Sequence, residues 1–312
     1  MNANLTKPLM TRRNLLKAAG LFAATGPALA VEPFNRPSAG FTGLGLTTYS
    51  LKRHMRWWWG KPSKSGKMEM ADFLDYCAEL GLDGAEITSY FFPDPLEKRD
   101  VHALKRRAHL LGLDVTGGAM GNNFAHKPGS DANLSHMKYF RTWVDHFAEL
   151  GAPVVRVFAA RGLPKGASDE EIIQNMTANL ETACEYAEKR GVILGLENHD
   201  FVKNLDYLLR ILKAVKSDWL GVIWDSANLA PTPDPYEQLE RIAPYAVTAQ
   251  VKVMTKVNGE DVPGDYARLI RILREANYRG YLIFEYEEEE DPFTAIPKHL
   301  PKLRKLISGG GG

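Results

Sequence analysis

Short apolar runs rich in β-branched and aromatic residues alternate with longer amphipathic runs along most of this chain. The apolar runs fall at residues 45–49, 84–87, 115–119, 154–158, 192–197, 220–225, 247–252 and 282–286. Two of them, Val192-Ile193-Leu194-Gly195-Leu196 and Tyr281-Leu282-Ile283-Phe284, have no polar face, which suits strands covered on both sides of a parallel sheet. The intervening runs have helical spacing. Met70, Phe73, Leu74, Cys77 and Leu80 recur three or four residues apart within 68–80, and the periods over 134–150 and 169–190 are longer. Ser168 stands ahead of Asp169, Glu170 and Glu171 as an N-cap, and Gly81, Gly112, Gly151 and Gly191 punctuate helix ends. Eight strand–helix units, with no dinucleotide-type glycine fingerprint after any strand, predict a single (β/α)8 TIM barrel rather than an open doubly wound sheet.

The first thirty residues break this pattern. They carry Lys7, Arg12, Arg13 and Lys17, no acid, a weakly apolar run from Leu15 to Ala24, and Ala28-Leu29-Ala30. That order is the order of an export signal with a cleavage site, and Thr11-Arg12-Arg13-Asn14-Leu15-Leu16-Lys17 resembles a twin-arginine signal. The expected organisation is a signal over 1–30, one barrel over 31–308 and a disordered glycine tail over 309–312. The expected partner is the twin-arginine export machinery, and the expected location is the periplasm or another place outside the cytoplasm. The apolar run is far shorter than the ~20 residues a spanning helix needs, so no stable membrane anchor is expected.

Composition narrows the partners. The 312 residues carry 39 basic and 38 acidic side chains, and losing the four basic residues of the signal takes the net charge from +1 to −3. Neither value supplies a field for nucleic acid. The two cysteines, Cys77 and Cys184, fall in different predicted helices and are read as buried free thiols.

In an α/β barrel the chemistry sits where strands end. The fifth strand ends Leu196-Glu197-Asn198-His199, the sixth Trp224-Asp225-Ser226-Ala227-Asn228, the seventh holds Gln250-Val251-Lys252 and the eighth ends Phe284-Glu285. Glu197, Asp225, Gln250 and Glu285 are 28, 25 and 35 residues apart. Each gap is close to one βα unit of about 31 residues, so the four share one rim. Acids placed directly after apolar strands must be paired or bind a cation, and oxygen donors favour Mn2+ or Mg2+ over Zn2+.

These residues give the chain its resemblance to the xylose-isomerase-like sugar isomerase/epimerase family, over nearly all of residues 31–308. The resemblance implies one divalent metal, Mn2+ first and Mg2+, Co2+ or Zn2+ as alternatives, held by Glu197, Asp225, Gln250 and Glu285. Gln250 stands where many members carry His in a His-x-Lys pattern, and its amide oxygen is a weaker, neutral ligand. The resemblance also makes Glu197 and Glu285 the catalytic acid/base pair. A metal that polarises a carbonyl and a neighbouring hydroxyl supports an enediolate, and carboxylates remove and return its proton.

The expected activity is therefore isomerisation or epimerisation of a free or oxidised (keto) sugar. A lyase or hydrolase acting on a 3-keto-glycoside is one alternative, and a non-catalytic carbohydrate-binding barrel is another. Six side chains near strand ends are candidate substrate contacts: His199, Arg156, Lys252, Glu86, Asn228 and His54. Trp57 and Trp58 join them from the first βα loop, because indole faces stack on sugar rings. Lys252 either neutralises an oxyanion or pairs with Asp225, and Arg156 contacts substrate or Glu197. The loop 117–129, with His126, is read as a wall or lid. Barrels of this family often associate, so a homo-oligomer is an expectation.

Overall fold

The computed structural model describes residues 30–309. Apart from Ala30, the segment expected to be an export signal lies outside the described residues, as do residues 310–312. Eight parallel strands close a barrel: β1 (Gly40–Thr47), β4 (Gly84–Thr88), β5 (Asp114–Ala119), β6 (Val154–Val157), β7 (Ile193–Glu197), β8 (Leu220–Asp225), β9 (Ala246–Lys252) and β12 (Arg279–Glu285). β1 pairs with both β4 and β12, which closes the ring. The fold is the TIM barrel that the eight alternating units predict. All six residues of β8 are buried, as a strand inside a helical jacket requires.

Among the described residues eight α-helices cover the strands: α1 (Met70–Glu79), α2 (Lys98–Leu110), α3 (Asp131–Leu150), α4 (Asp169–Glu188), α5 (Leu205–Ala214), α6 (Pro235–Ile242), α7 (Tyr266–Glu275) and α8 (Pro292–Ser308). Their ends follow local chemistry. Ser168 accepts from the Glu171 N–H while the Glu171 side chain accepts from the Ser168 N–H, a reciprocal cap that starts α4. Gly151 ends α3 in the left-handed region at φ 99°, where a Cβ would strain the backbone. Cys77 and Cys184 are free and buried in α1 and α4. Gly309 donates its N–H to the Lys305 carbonyl and so belongs to the end of α8. No helix among the described residues is long and apolar enough to cross a membrane.

Two features depart from the pattern reading. The first strand starts at Gly40 and stops at Thr47, because Thr47 accepts from the Tyr49 N–H and turns the chain into a 3-10 helix over Thr48–Leu51. Two small hairpins also rise at the barrel mouth: β2 (Trp57–Trp58) with β3 (Lys61–Pro62), and β10 (Met254–Val257) with β11 (Glu260–Pro263). Strands this short carry too few alternating positions to register as a period.

Candidate active site

The C-terminal ends of the strands enclose a cavity of about 330 Å³, and Glu197, Gln250, Lys252 and Glu285 line it. Register explains why they meet. Asp225 on β8 pairs with Gln250 on β9, and Lys252 on β9 pairs with Glu285 on β12. Glu86 enters from β4 and Arg156 from β6, where its neighbours Val155 and Val157 point the other way.

Glu197 is fully engaged. Arg156 donates from Nη1 to Glu197 Oε2 at 2.9 Å, and Asn228 donates from Nδ2 to Glu197 Oε1 at 3.0 Å. Arg156 also donates from Nη2 to the Tyr90 hydroxyl at 3.1 Å; burial opposes its charge, but Tyr90, Glu197 and Glu86 outweigh that and keep it protonated. Asp225 Oδ1 accepts the Ala227 and Asn228 N–H groups at 2.8 and 2.9 Å. Asn198, wholly buried, binds the Asp225 N–H and carbonyl and the Asn228 carbonyl, so it locks the loops after β7 and β8 together. Gln250 donates from Nε2 to Glu86 Oε1 at 2.7 Å. The Lys252 ammonium stands 2.7 Å from Glu287, 3.2 Å from Asp225 Oδ2 and 3.6 Å from Glu285 Oε2.

Burial sets the protonation of this cluster. It pushes Glu86 up to about 7 against the pull of Arg156, and Glu285 up to about 8 against the pull of Lys252. Burial opposes the charge on Lys252, but Asp225, Glu285 and Glu287 outweigh it and hold the ammonium protonated. Glu287 is held down to about 2: burial raises it, and Lys252 and Lys52 overcome that. Fully ionised, the carboxyls of Glu86, Glu197, Asp225 and Glu285 exceed the cations Arg156 and Lys252 by two charges. One divalent cation balances that excess, and so do two protons.

The donor chemistry meets the requirement for such a cation in one respect and strains it in another. Gln250 Oε1 is a buried acceptor with no hydrogen-bond donor, and Asp225 Oδ2 has only the Lys252 ammonium at 3.2 Å, outside hydrogen-bond geometry, a condition a ligated ion would relieve. Among the described residues, however, no three His, Cys, Asp or Glu side chains are drawn together closely enough to hold an ion. The amide of Gln250 is therefore a necessary member of the set, and an ion competes with Lys252 for Asp225. The part of the set that suits an oxygen-preferring divalent ion as it stands is the Asp225 carboxylate with the unpartnered Gln250 Oε1.

Without an ion, Glu86 and Glu285 retain protons that the unfolded chain has already released. Folding then takes up protons, and stability falls as pH rises from about 5 to about 8. Calorimetric melting of chelator-treated protein is expected to show this fall, and added Mn2+ is expected to reverse it at pH 8. A melting temperature that rises over this interval in the absence of metal contradicts the assignment.

The remaining candidates divide. His199 lines the cavity, tilted against Phe158 with ring centroids 4.8 Å apart, with its Nδ1 3.0 Å from Asp200. Trp58 lines it at the mouth. Trp57 does not. Its indole N–H donates to Glu69 Oε2 at 3.0 Å, and it lines a separate cavity beside α2. Successive residues of a strand face opposite ways, so β2 can send only one of its two tryptophans inward. His54 packs edge-on against Phe293 at 4.8 Å and is likewise outside the cavity, because the turn before β2 points it toward α8. His126 stacks on His136 and is no part of the wall. The sequence reading passed over Tyr90 and Arg161, which both line the cavity, and left Trp59 among the loop tryptophans without a place. Trp59 stacks on Tyr90 at 4.2 Å, and the Arg161 guanidinium covers it at 4.6 Å. Gly121 makes room, since a Cβ there would lie 2.0 Å from the indole.

The family model of the xylose isomerase-like TIM barrel matches residues 74–306, and the chain belongs to that family. A curated relative, 3-oxo-isoapionate decarboxylase of Pectobacterium atrosepticum, is 24% identical over 67% of this chain and 68% of its own. Among solved structures, 3-keto-D-glucoside 4-epimerase from E. coli superposes with a TM-score of 0.66 at 18% identity, covering 84% of this chain and 98% of that one. A xylose isomerase-like TIM barrel protein from Mycobacterium smegmatis, in complex with magnesium, also gives a TM-score of 0.66. It is 16% identical and covers 85% of this chain and 97% of the other.

Proposed function

We propose that this protein is a divalent-metal-dependent isomerase or epimerase of a keto sugar, carried out of the cytoplasm by its first thirty residues. The observation that carries this reading is the placing of Glu197, Gln250 and Glu285 around one cavity, with Asp225 paired to Gln250 across the strands and Gln250 Oε1 lacking a donor. The names of the relatives support it: an epimerase and a decarboxylase both act beside a sugar-derived carbonyl, and another relative binds magnesium.

The same four residues would hold the ion, which when bound supplies Lewis-acid charge to a carbonyl and its neighbouring hydroxyl. The chain's own groups do the rest. Glu197, bound by Arg156 and Asn228, is one of the two proton-transfer groups. Glu285, buried at the end of β12 with no side-chain hydrogen bond, is the other. They end strands separated by β8 and β9, and so flank the space between. The Lys252 ammonium supplies positive charge where an oxyanion develops. His199 and Trp58 bound the sugar from the mouth.

Solvent exchange tests this reading. In heavy water with Mn2+, the enzyme is expected to place deuterium on a carbon next to the carbonyl of at least one of D-fructose, D-psicose, D-tagatose or 3-keto-D-glucose. Absence of exchange into all four, from folded and metal-loaded protein, contradicts it.

A further inference from the structure

A second cavity, of about 660 Å³, lies beside the first, and Trp59 lines both. Its floor is aromatic. Tyr139 lies 6.4 Å from Trp59, Trp143 lies 6.3 Å from Tyr139 and 5.4 Å from Phe92, and His146 meets Trp143 edge-on at 5.4 Å. Polar groups surround these rings: Asp94, Ser135 and Lys138 line the same space. Asp94 and Lys138 make no side-chain hydrogen bond or ion pair with other described residues. Half-buried apolar rings framed by free polar groups match a pyranose, which has an apolar C–H face and a hydroxyl rim. The neighbouring cavity beside α2 also mixes rings with charged groups, but it does not share Trp59 with the first.

Trp59 is held firmly between the two spaces. Its backbone is left-handed at φ 53°, uncommon for a bulky residue, and its ring is fixed by Tyr90, Arg161 and the bare backbone of Gly121. A wall so fixed separates a reacting ring from whatever that ring carries.

We infer that the second cavity is a subsite for a glycosidic substituent, so that the substrate is a keto-glycoside with a second sugar ring rather than a free monosaccharide. The ring with the carbonyl occupies the space at Glu197 and Glu285. Its substituent passes Trp59 and stacks in the cleft formed by Tyr139 and Trp143. This inference rests on the sugar-binding reading above and extends it to substrate size.

Binding measured by saturation-transfer NMR and calorimetry separates the two. The probes are glucose and the disaccharides cellobiose, maltose and lactose, added to the Mn2+-loaded full protein. At least one disaccharide is expected to bind about tenfold more tightly than glucose, with saturation reaching both rings. Trp143→Ala is expected to erase that advantage and leave glucose binding unchanged. Trp143→Leu, which keeps apolar volume under the helix, is expected to do the same if the alanine variant fails to fold. Equal affinity for glucose and all disaccharides, or a disaccharide advantage that survives loss of Trp143, overturns the subsite while leaving the sugar reading intact. Binding of none of the probes overturns both.

Discussion

Glu285→Gln is expected to lower kcat by about a thousandfold while moving KM far less, the mark of a group that transfers a proton in the transition state. The reason is its environment. Glu285 ends β12 with no hydrogen bond to fix its charge, and its nearest partner is Lys252 at 3.6 Å. Burial holds its carboxyl up to about 8 in the metal-free site, and an ion bound there would ionise it and leave it able to take up and return a proton. Glutamine keeps the shape and the oxygen but carries no transferable proton. Glu287→Gln, two positions further along, more exposed and already paired to Lys52, is expected to change kcat by much less. Equal losses in the two variants would mean that net charge, not proton transfer, is what Glu285 contributes.

Arg156→Met is expected to cost about 3–5 kcal/mol of stability, because it strands the Glu197 carboxylate in a site sealed from water. The ion pair is 2.9 Å long with both side chains more than nine-tenths buried. Removing one partner costs more than the pair contributes, so the double variant Arg156→Met with Glu197→Gln is expected to recover part of the loss. Urea unfolding of the four proteins of this cycle measures the coupling. Additive losses would show that Arg156 is held by Tyr90 and packing, and that it leaves Glu197 free.

Much of this site was legible before any coordinates. The barrel followed from eight apolar runs at regular spacing, and β8 was read to the residue because an acid closes an otherwise apolar strand at Asp225. The meeting of Glu197, Asp225, Gln250 and Glu285 followed from their spacing, because a closed barrel turns equal separations along the chain into neighbours around a rim. Arg156 was legible as a charge in a strand that needed a partner, and Glu197 is that partner.

What failed lay in the loops. Trp57 and Trp58 are adjacent, and only the register of a two-residue hairpin decides which one faces the cavity. Tyr90 sits in the 3-10 turn after β4, where no period marks an inward face. Arg161 follows a strand too loosely for its direction to be read, and it was found only once Trp59 and Gly121 were in place beneath it. Asn198 appeared in the sequence as part of a motif, but its role as the clamp between two loops depends on three hydrogen bonds that no spacing predicts.

The central claim is that these oxygen donors gather around one divalent cation, and calorimetric titration of Mn2+ into metal-free protein tests it most directly. One ion per chain is expected to bind. Binding should release protons at pH 7, because Glu285 must ionise to become a ligand, so the measured heat should depend on the ionisation enthalpy of the buffer. Asp225→Asn and Gln250→Ala should each weaken the site. A protein that takes up no Mn2+ or Mg2+ at millimolar concentration, or that binds equally well after both substitutions, would contradict the account.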